Sequence, residues 1–259
     1  IWSAMERVRE ARTVWRTAAD RITETLAKTA PSDPAAERAK CALELFDHLA
    51  WTGDLKGLKA GGSISDLALW FTADWLTTDH EDGMLEMLAV DLGLSDSSKN
   101  SVQPTYFAHG LARAYMNPNT YRTARQFQWL RRLGEAFATK DRRRLGTIVN
   151  KDENHWVGLA IDCEDETVGY GDGFGGKVPG DLRRHLDWWL FEHLGVKFRW
   201  TDLPIPPQND VHSCGLLAYF AVANFFDGKR FPLPKATSAS MADERIKMFL
   251  RLVERHRSK

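Results

Sequence analysis

Residues 147–172 of the chain read TIVNKDENHWVGLAIDCEDETVGYGD. Within this stretch, three short runs rich in β-branched and aromatic residues are separated by polar residues that favour turns. The runs are residues 147–149, 156–161 and 167–170. Their composition and length predict three neighbouring strands of one small sheet.

Helical patterns lie on both sides of these strands. Apolar residues recur there at helical steps between charged residues. Helices are predicted over residues 2–29, 35–49, 181–193, 214–226 and 241–255. Residues 95–104 have the composition of a loop. The order of helices, strands and helices predicts an α+β fold, with a small mixed β-sheet flanked by helices.

The second and third strands are predicted to form an antiparallel hairpin. The polar residues 162–165 supply its turn, and a turn centred between Cys163 and Glu164 places His155 opposite Asp172. His155 then stands at the start of one strand, beside the end of its neighbour. A carboxylate in that position can orient an imidazole.

Cys214 begins a very apolar run that follows the polar residues 208–213. We therefore expect its sulfur at a helix N-terminus, where the helix dipole and a nearby imidazolium favour the thiolate. In acyl transfer a thiolate attacks, a histidine returns a proton to the leaving amine, and a fixed donor holds the oxyanion. Cys214, His155 and Asp172 are the candidate catalytic residues, and Gln208 is the candidate oxyanion donor.

Each of these residues also has an ordinary structural interpretation. A buried cysteine at a helix start usually packs as a small hydrophobic residue, and isolated His or Asp residues usually lie on the surface. Trp75 and Trp156 would be core residues, and the arginines of residues 122–144 a solvated face. The ordered set of Cys, His, Asp and Gln favours a catalytic site over these separate interpretations.

Composition limits the classes of partner and cofactor. The chain has 35 basic and 35 acidic residues, so neither nucleic acid nor a membrane is expected as its main partner. Three cysteines at unrelated spacings fit neither a disulfide framework nor a zinc site, and no cofactor is expected. The chain begins with Ile, which indicates a piece of a longer protein. We expect an intracellular location, nuclear or cytoplasmic, or the host-cell cytosol for a secreted effector.

The candidate residues resemble those of the ubiquitin-like-protein-specific (SUMO) proteases, which share the papain-like fold of adenain-like cysteine peptidases. The resemblance covers roughly residues 64–226. The family's His-Trp pair, its Asp after an aromatic strand, and its Gln-to-Cys-Gly ending are similar to His155-Trp156, Asp172, and Gln208 through Cys214-Gly215. The order along the chain is also the family's.

The resemblance also implies a narrow substrate tunnel. The segment around Trp75 is similar to the family's Trp-Leu-Asn-Asp segment, whose Trp acts with the Trp after the catalytic His. Trp75 and Trp156 are therefore the implied substrate-binding residues. Two indoles leave room only for residues without side chains, such as a Gly-Gly tail. Three features depart from the family: Thr77-Thr78 replaces Asn-Asp, Ser213 replaces an Asp, and glycines surround Asp172.

The resemblance implies a thiol-dependent peptidase or isopeptidase that cleaves after the C-terminal Gly-Gly of a ubiquitin-like modifier. SUMO is favoured, with ubiquitin or a Nedd8-like protein as alternatives. An acetyltransferase with the same Cys, His and Asp arrangement is a second hypothesis, which the two tryptophans disfavour. A non-catalytic module that binds a ubiquitin-like protein is a third, which the intact catalytic set disfavours. Residues 61–259 are the expected peptidase domain, and residues 1–60 an added N-terminal helical segment.

Overall fold

The computed structural model describes residues 2–259 of the chain. Its α-helices are α1 (Trp2–Lys28), α2 (Pro34–His48), α3 (Thr78–Asp91), α4 (Tyr106–Tyr115), α5 (Pro118–Tyr121), α6 (Gln128–Ala138), α7 (Gly180–Leu194), α8 (Cys214–Phe226) and α9 (Ser238–Arg257). Its strands are β1 (Asn100–Val102), β2 (Arg144–Lys151), β3 (His155–Asp162), β4 (Thr167–Gly171) and β5 (Arg199–Asp202). Short 3-10 helices cover Ile64–Phe71 and Arg125–Phe127. This is the α+β fold that the sequence predicts.

The chain divides into two compact units. The first contains the residues up to Met84 together with Asp210–Leu216 and Lys235–Lys259. The second contains Leu85–Asn209 and Leu217–Pro234. The expected boundary between residues 60 and 61 falls inside the first unit and stays a prediction.

The first unit is organised around a cluster of aromatic rings. Trp15 of α1 stacks on Phe46 of α2, with ring centroids 3.7 Å apart. Phe46 in turn contacts Phe71 at the end of the first 3-10 helix and Phe249 of α9. Contacts between aromatic rings add stability to a core in addition to the stability that comes from burying apolar area. The N-terminal helices therefore pack in the same unit as the C-terminal helix.

The second unit contains a five-stranded mixed sheet in the order β1-β2-β3-β4-β5. Strands β2, β3 and β4 are antiparallel, and the two edge strands β1 and β5 run parallel to their neighbours. The prediction of a loop over residues 95–104 is wrong at Asn100–Val102, which form β1. Three residues are too short a run for alternation to be recognised, and their pairing depends on β2.

Strand β3 is buried along its whole length and packs on both faces. One face joins the main core, which takes Val157, Leu159 and Ile161 from β3. The opposite face carries the small residues Gly158 and Ala160. A Cβ at Gly158 would lie 3.3 Å from the carbonyl oxygen of Ala218, so glycine lets α8 approach the sheet closely.

The hairpin of β3 and β4 differs in register from the sequence prediction. Its turn is centred between Glu164 and Asp165, one residue further along than predicted. The Asp162 carboxylate accepts hydrogen bonds from both of their backbone amides, which stabilises this turn. Every residue of β3 thus changes its partner by two positions, and a shift of two keeps the same side chains on the same face. His155 and Asp172 therefore still share a face.

Candidate active site

His155 and Asp172 form a buried hydrogen-bonded pair in the second unit. His155 is the first residue of β3, and Asp172 directly follows the last residue of β4. The Nε2 atom of His155 lies 2.8 Å from Oδ1 of Asp172, and the two side chains are 11% and 2% exposed. Because the carboxylate engages Nε2, Nδ1 is the ring nitrogen suited to exchange a proton with a nucleophile.

The Asp172 carboxylate is surrounded by hydrogen-bond donors. The backbone amide of Phe174 donates to Oδ1 at 2.9 Å, and Lys151 Nζ lies 3.3 Å from Oδ2. Burial alone would raise the pKa of Asp172. Hydrogen bonds from His155, Phe174 and Lys151 instead lower this pKa below its ordinary value of 3.8. Asp172 is therefore ionised at neutral pH and can stabilise an imidazolium.

Glycines beside Asp172 allow two close approaches. The backbone amide of Gln208 donates to the Gly173 carbonyl at 2.7 Å, and a Cβ at Gly173 would lie 3.0 Å from the Cβ of Gln208. A Cβ at Gly176 would overlap Oδ2 of Asp172. The glycines that depart from the family pattern thus bring buried Gln208 next to the His155–Asp172 pair.

Two further residues of this site were not singled out by the sequence patterns. The ring of Phe174 stacks on the imidazole of His155, with centroids 5.0 Å apart and an angle of 26° between the planes. Lys151 ends β2 and forms an ion pair with Asp172. The sequence signal that could have identified them is their closeness to His155 and Asp172, since residues next to strand ends can reach the same edge of a sheet.

Cys214 lies in the first unit and is the first residue of α8. Its side chain is buried and forms no disulfide. The preceding turn is held by Asp210, which accepts hydrogen bonds from the backbone amide of His212 at 2.9 Å and from the amide and hydroxyl of Ser213 at 2.8 and 2.7 Å. Burial would raise the pKa of Asp210, but these bonds lower it below 3.8. Ser213, which replaces the Asp of the family pattern, is thus contacted by the carboxylate of Asp210, three residues earlier in the chain.

The two tryptophans of the implied tunnel differ in exposure. Trp75 lies in the first unit, is 48% exposed, and donates its indole N–H to the carbonyl of Val211. Trp156 lies on β3 in the second unit and is only 5% exposed. Trp75 therefore presents part of its ring to solvent, whereas Trp156 is mostly a packed side chain.

Glu81 is a buried carboxyl group in the first unit. It lies in α3, is fully buried, and neither of its carboxyl oxygens has a hydrogen-bond partner within residues 2–259. A Cβ at Gly215 would overlap Oε1 of Glu81, so the glycine after Cys214 lets this carboxyl group pack against the first turn of α8. Burial raises the pKa of Glu81 well above 4.5, although the charge of Arg245 opposes the shift.

The raised pKa of Glu81 predicts a pH-dependent loss of stability that the variant Glu81→Gln lacks. Below pH 4.5 the carboxyl group is neutral in both states. As the pH rises toward the raised pKa, the unfolded chain ionises while the folded chain resists, so wild type loses stability relative to the variant. Thermal midpoints at pH 4, 6 and 8 measure this difference. The exposed-site control Glu44→Gln should show none, and a pH-independent difference for Glu81→Gln would contradict the prediction.

The described residues contain no obvious metal site or membrane span. Within residues 2–259, no group of three or more His, Cys, Asp or Glu side chains is arranged to hold a metal ion. Over the same range, no helix combines the length and apolar character required to cross a bilayer.

Comparisons with known proteins agree with this fold. The model of the "Ulp1 protease family, C-terminal catalytic domain" matches residues 74–257, which is more than half of the chain. The Ulp1-like SUMO protease catalytic domain of Chaetomium thermophilum has a TM-score of 0.62 and 16% identity, over 87% of this chain and 90% of that one. SUMO protease Ulp1 with its catalytic cysteine oxidised to a sulfinic acid has a TM-score of 0.63 and 15% identity, over 88% and 97%.

A third solved structure is a complex. The C-terminal Ulp1 protease domain bound to Smt3, the yeast ortholog of SUMO, has a TM-score of 0.58 and 15% identity, over 91% of this chain and 94% of that one. No curated protein matches the chain. The extent of the family match confirms the resemblance found in the sequence: the chain belongs to the Ulp1 protease family and is a cysteine protease of that family's catalytic-domain type.

Proposed function

We propose that this protease hydrolyses the peptide or isopeptide bond after the C-terminal Gly-Gly of a ubiquitin-like modifier, with Cys214 as the nucleophile. The main structural support for this proposal is the hydrogen bond between His155 and Asp172. The chain also belongs to a cysteine protease family. An imidazole oriented by an ionised carboxylate is the base that activates a thiol. Cys214 is the candidate nucleophile because it begins a helix, where the dipole favours the thiolate, and forms no disulfide.

The reaction proceeds in two acyl-transfer steps. The Cys214 thiolate attacks the carbonyl carbon of the terminal glycine and forms a tetrahedral oxyanion. As that intermediate collapses, the His155 imidazolium gives its proton to the departing lysine amine, which leaves a thioester. The neutral imidazole then takes a proton from water, whose oxygen attacks the thioester. Collapse of this second intermediate releases the glycine carboxylate and the cysteine sulfur.

Asp172 and Gln208 support these steps in different ways. Asp172 accepts the Nε2 hydrogen bond of His155, which fixes the ring and stabilises its cationic form. We assign Gln208 as the donor that stabilises the oxyanion, because it is buried next to Gly173 and its amide cannot lose a proton at neutral pH. Neither group forms a covalent bond to the substrate.

The proposed substrate class depends on which C-terminal tail can fit between two tryptophan rings. Trp75 and Trp156 are the proposed contacts of the Gly-Gly tail, because indole rings on either side of a chain exclude any side chain larger than hydrogen. SUMO is favoured over ubiquitin or a Nedd8-like protein, since a solved relative is a complex with Smt3. The partner would thus be a ubiquitin-like protein and its conjugates.

A panel of activity probes tests the nucleophile and the substrate class together. SUMO, ubiquitin and a Nedd8-like protein, each ending in Gly-Gly with a thiol-reactive group, are incubated with wild type and with Cys214→Ala. We expect a single covalent adduct with wild type and the SUMO probe, and none with the variant, when intact masses are measured. The matched control is Cys163→Ala, because burial raises the pKa of Cys163 to about 12 and keeps its thiol protonated.

Three outcomes would count against parts of the proposal. An adduct that persists in Cys214→Ala would exclude Cys214 as the nucleophile. An adduct with the ubiquitin probe alone would replace SUMO as the favoured modifier. Unreacted probes with a folded wild-type protein would exclude cleavage after the Gly-Gly tail of these modifiers.

A further inference from the structure

Arg245 of α9 is a buried cation whose hydrogen-bond partners are backbone carbonyls of the first unit. It is only 3% exposed. Its Nη1 donates to the carbonyls of Leu69 and Thr72 at 3.2 and 2.7 Å. Its Nη2 donates to the carbonyls of Asp74 and His212, both at 2.9 Å. Burying a guanidinium is costly unless protein acceptors replace water, and these carbonyls do so.

Three of these carbonyls belong to two segments that are distant in the sequence. Thr72 and Asp74 lie in the tryptophan segment, defined as residues 72–75, which ends at the exposed indole. His212 lies in the cysteine segment, defined as residues 210–214, which ends at the candidate nucleophile. One planar guanidinium thus joins both segments to α9. A rigid fork of donors restricts the relative positions of the groups that it binds.

The cysteine segment is held by further hydrogen bonds that act with this guanidinium. Trp75 donates its indole N–H to the Val211 carbonyl. Asp210 accepts from the backbone amides of His212 and Ser213. The backbone amides of this segment therefore donate to Asp210. Its Val211 and His212 carbonyls accept from the indole of Trp75 and from the guanidinium of Arg245, respectively. Loss of the guanidinium would release the second of these carbonyls, two residues before the thiol.

The charges around Arg245 also include Cys214. Burial lowers the pKa of Arg245 from 12.5, and the charges that Asp210, Glu81, Cys214 and Asp74 carry when they are ionised oppose this shift. Such an interaction is mutual, so the guanidinium favours the thiolate form of Cys214. Arg245 can therefore act on the nucleophile both through backbone geometry and through its charge.

We propose that Arg245 is a positioning residue that holds the tryptophan segment and the cysteine segment in one fixed geometry. The inference rests on the proposed function for the roles of Trp75 and Cys214. Tail selection by Trp75 and attack by Cys214 then depend on the same guanidinium. Loosening it lowers the rate and also relaxes the requirement for Gly-Gly, because the indole no longer stands at a fixed place relative to the thiol.

Two substitutions separate the geometry from the charge. Arg245→Lys keeps the charge, but an ammonium is a compact group that cannot span carbonyls on both segments. Arg245→Gln removes the charge as well. Arg257→Lys, at an exposed position of the same helix, is the matched control.

Amide hydrogen exchange of the full chain tests the geometry without any substrate. In Arg245→Lys, peptides spanning residues 72–77 and 210–216 are both expected to exchange about tenfold faster than in wild type, because their shared anchor is lost. Peptides from β3 and all peptides of Arg257→Lys should exchange as in wild type. A folded Arg245→Lys in which only one segment, or neither, exchanges faster would overturn the inference.

Steady-state kinetics with two tails test the functional consequence. Modifier substrates ending in Gly-Gly or in Ala-Gly are compared by kcat/KM. Arg245→Lys is expected to lower kcat/KM for Gly-Gly by about 100-fold, and the preference for Gly-Gly by about tenfold. A simple loss of folded protein lowers both rates equally, so the preference reports on positioning even in a poorly folded Arg245→Gln. An unchanged preference in both variants would overturn the inference.

A separate experiment tests the effect of the Arg245 charge on Cys214. It measures the rate at which iodoacetamide alkylates Cys214 as a function of pH. We expect the alkylation profile of Arg245→Lys to match wild type, and that of Arg245→Gln to move to higher pH. If wild type cleaves no modifier, the proposed function fails, and hydrogen exchange still decides the inference. If wild type is active while exchange in Arg245→Lys is unchanged, the inference fails and the proposed function stands.

Discussion

Replacing His155 with alanine is expected to lower kcat by about 10⁶-fold against the modifier that reacts in the probe panel, because a nucleophile and its base act as one unit. In the proposed mechanism the imidazole both supports the thiolate and carries the proton to the leaving amine, so its removal affects both steps. Single-turnover assays with excess enzyme measure this loss. KM should change little, since the ring binds no part of the ground-state substrate.

The matched control for this substitution is His109→Ala, at an exposed histidine of the same unit. Its kcat should equal that of wild type. Circular dichroism of both variants checks that each is folded. A folded His155→Ala that retains more than a tenth of wild-type kcat would exclude His155 as the catalytic base.

Replacing Asp172 with alanine is expected to lower kcat by about 10⁴-fold, less than the loss of the histidine, because the carboxylate acts through the imidazole. Without it the ring is no longer held at Nε2, and its cationic form loses the charge that stabilises it. Single-turnover assays of Asp172→Ala with excess enzyme measure this loss.

A double variant tests whether Asp172 acts through His155. Adding Asp172→Ala to His155→Ala should cause almost no further loss, because the carboxylate then has no ring to orient. Asp165→Ala, in the exposed turn of the same hairpin, is the control and should keep wild-type kcat. Independent, multiplicative losses in the double variant would contradict the assigned role of Asp172.

The sequence was informative where a site residue belongs to a strong local pattern. The predicted helix over residues 214–226 has the bounds of α8, because an apolar run follows a polar turn at Cys214. The antiparallel register around the predicted turn placed His155 opposite Asp172. Because the error in register is two residues, the two side chains still share a face. Fold class and the candidate catalytic residues therefore followed from local patterns and chain order, whereas the roles of Trp75 and Trp156 came from the family resemblance.

Glu81 and Arg245 show the limit of such patterns. Each stands at helical spacing within an apolar stripe, but the sequence analysis singled out neither residue. The stripes are Met84, Leu85 and Leu88 for the former, and Met241, Phe249 and Leu252 for the latter. Spacing gives no information about what lies across from a buried charge. Only the folded chain sets the carboxyl group against Gly215 and the guanidinium against its carbonyls.

By itself the sequence determined the α+β class, the order of the candidate catalytic residues and the face that His155 shares with Asp172. The tertiary structure decided which ring nitrogen meets the carboxylate, that Asp210 accepts the bonds of Ser213, and which carbonyls Arg245 holds. The physical reason is that the spacing of side chains can be read from the sequence, whereas the backbone carbonyl is the same in every residue and gives no sequence signal. Which carbonyl a distant side chain meets depends on the path of the folded chain.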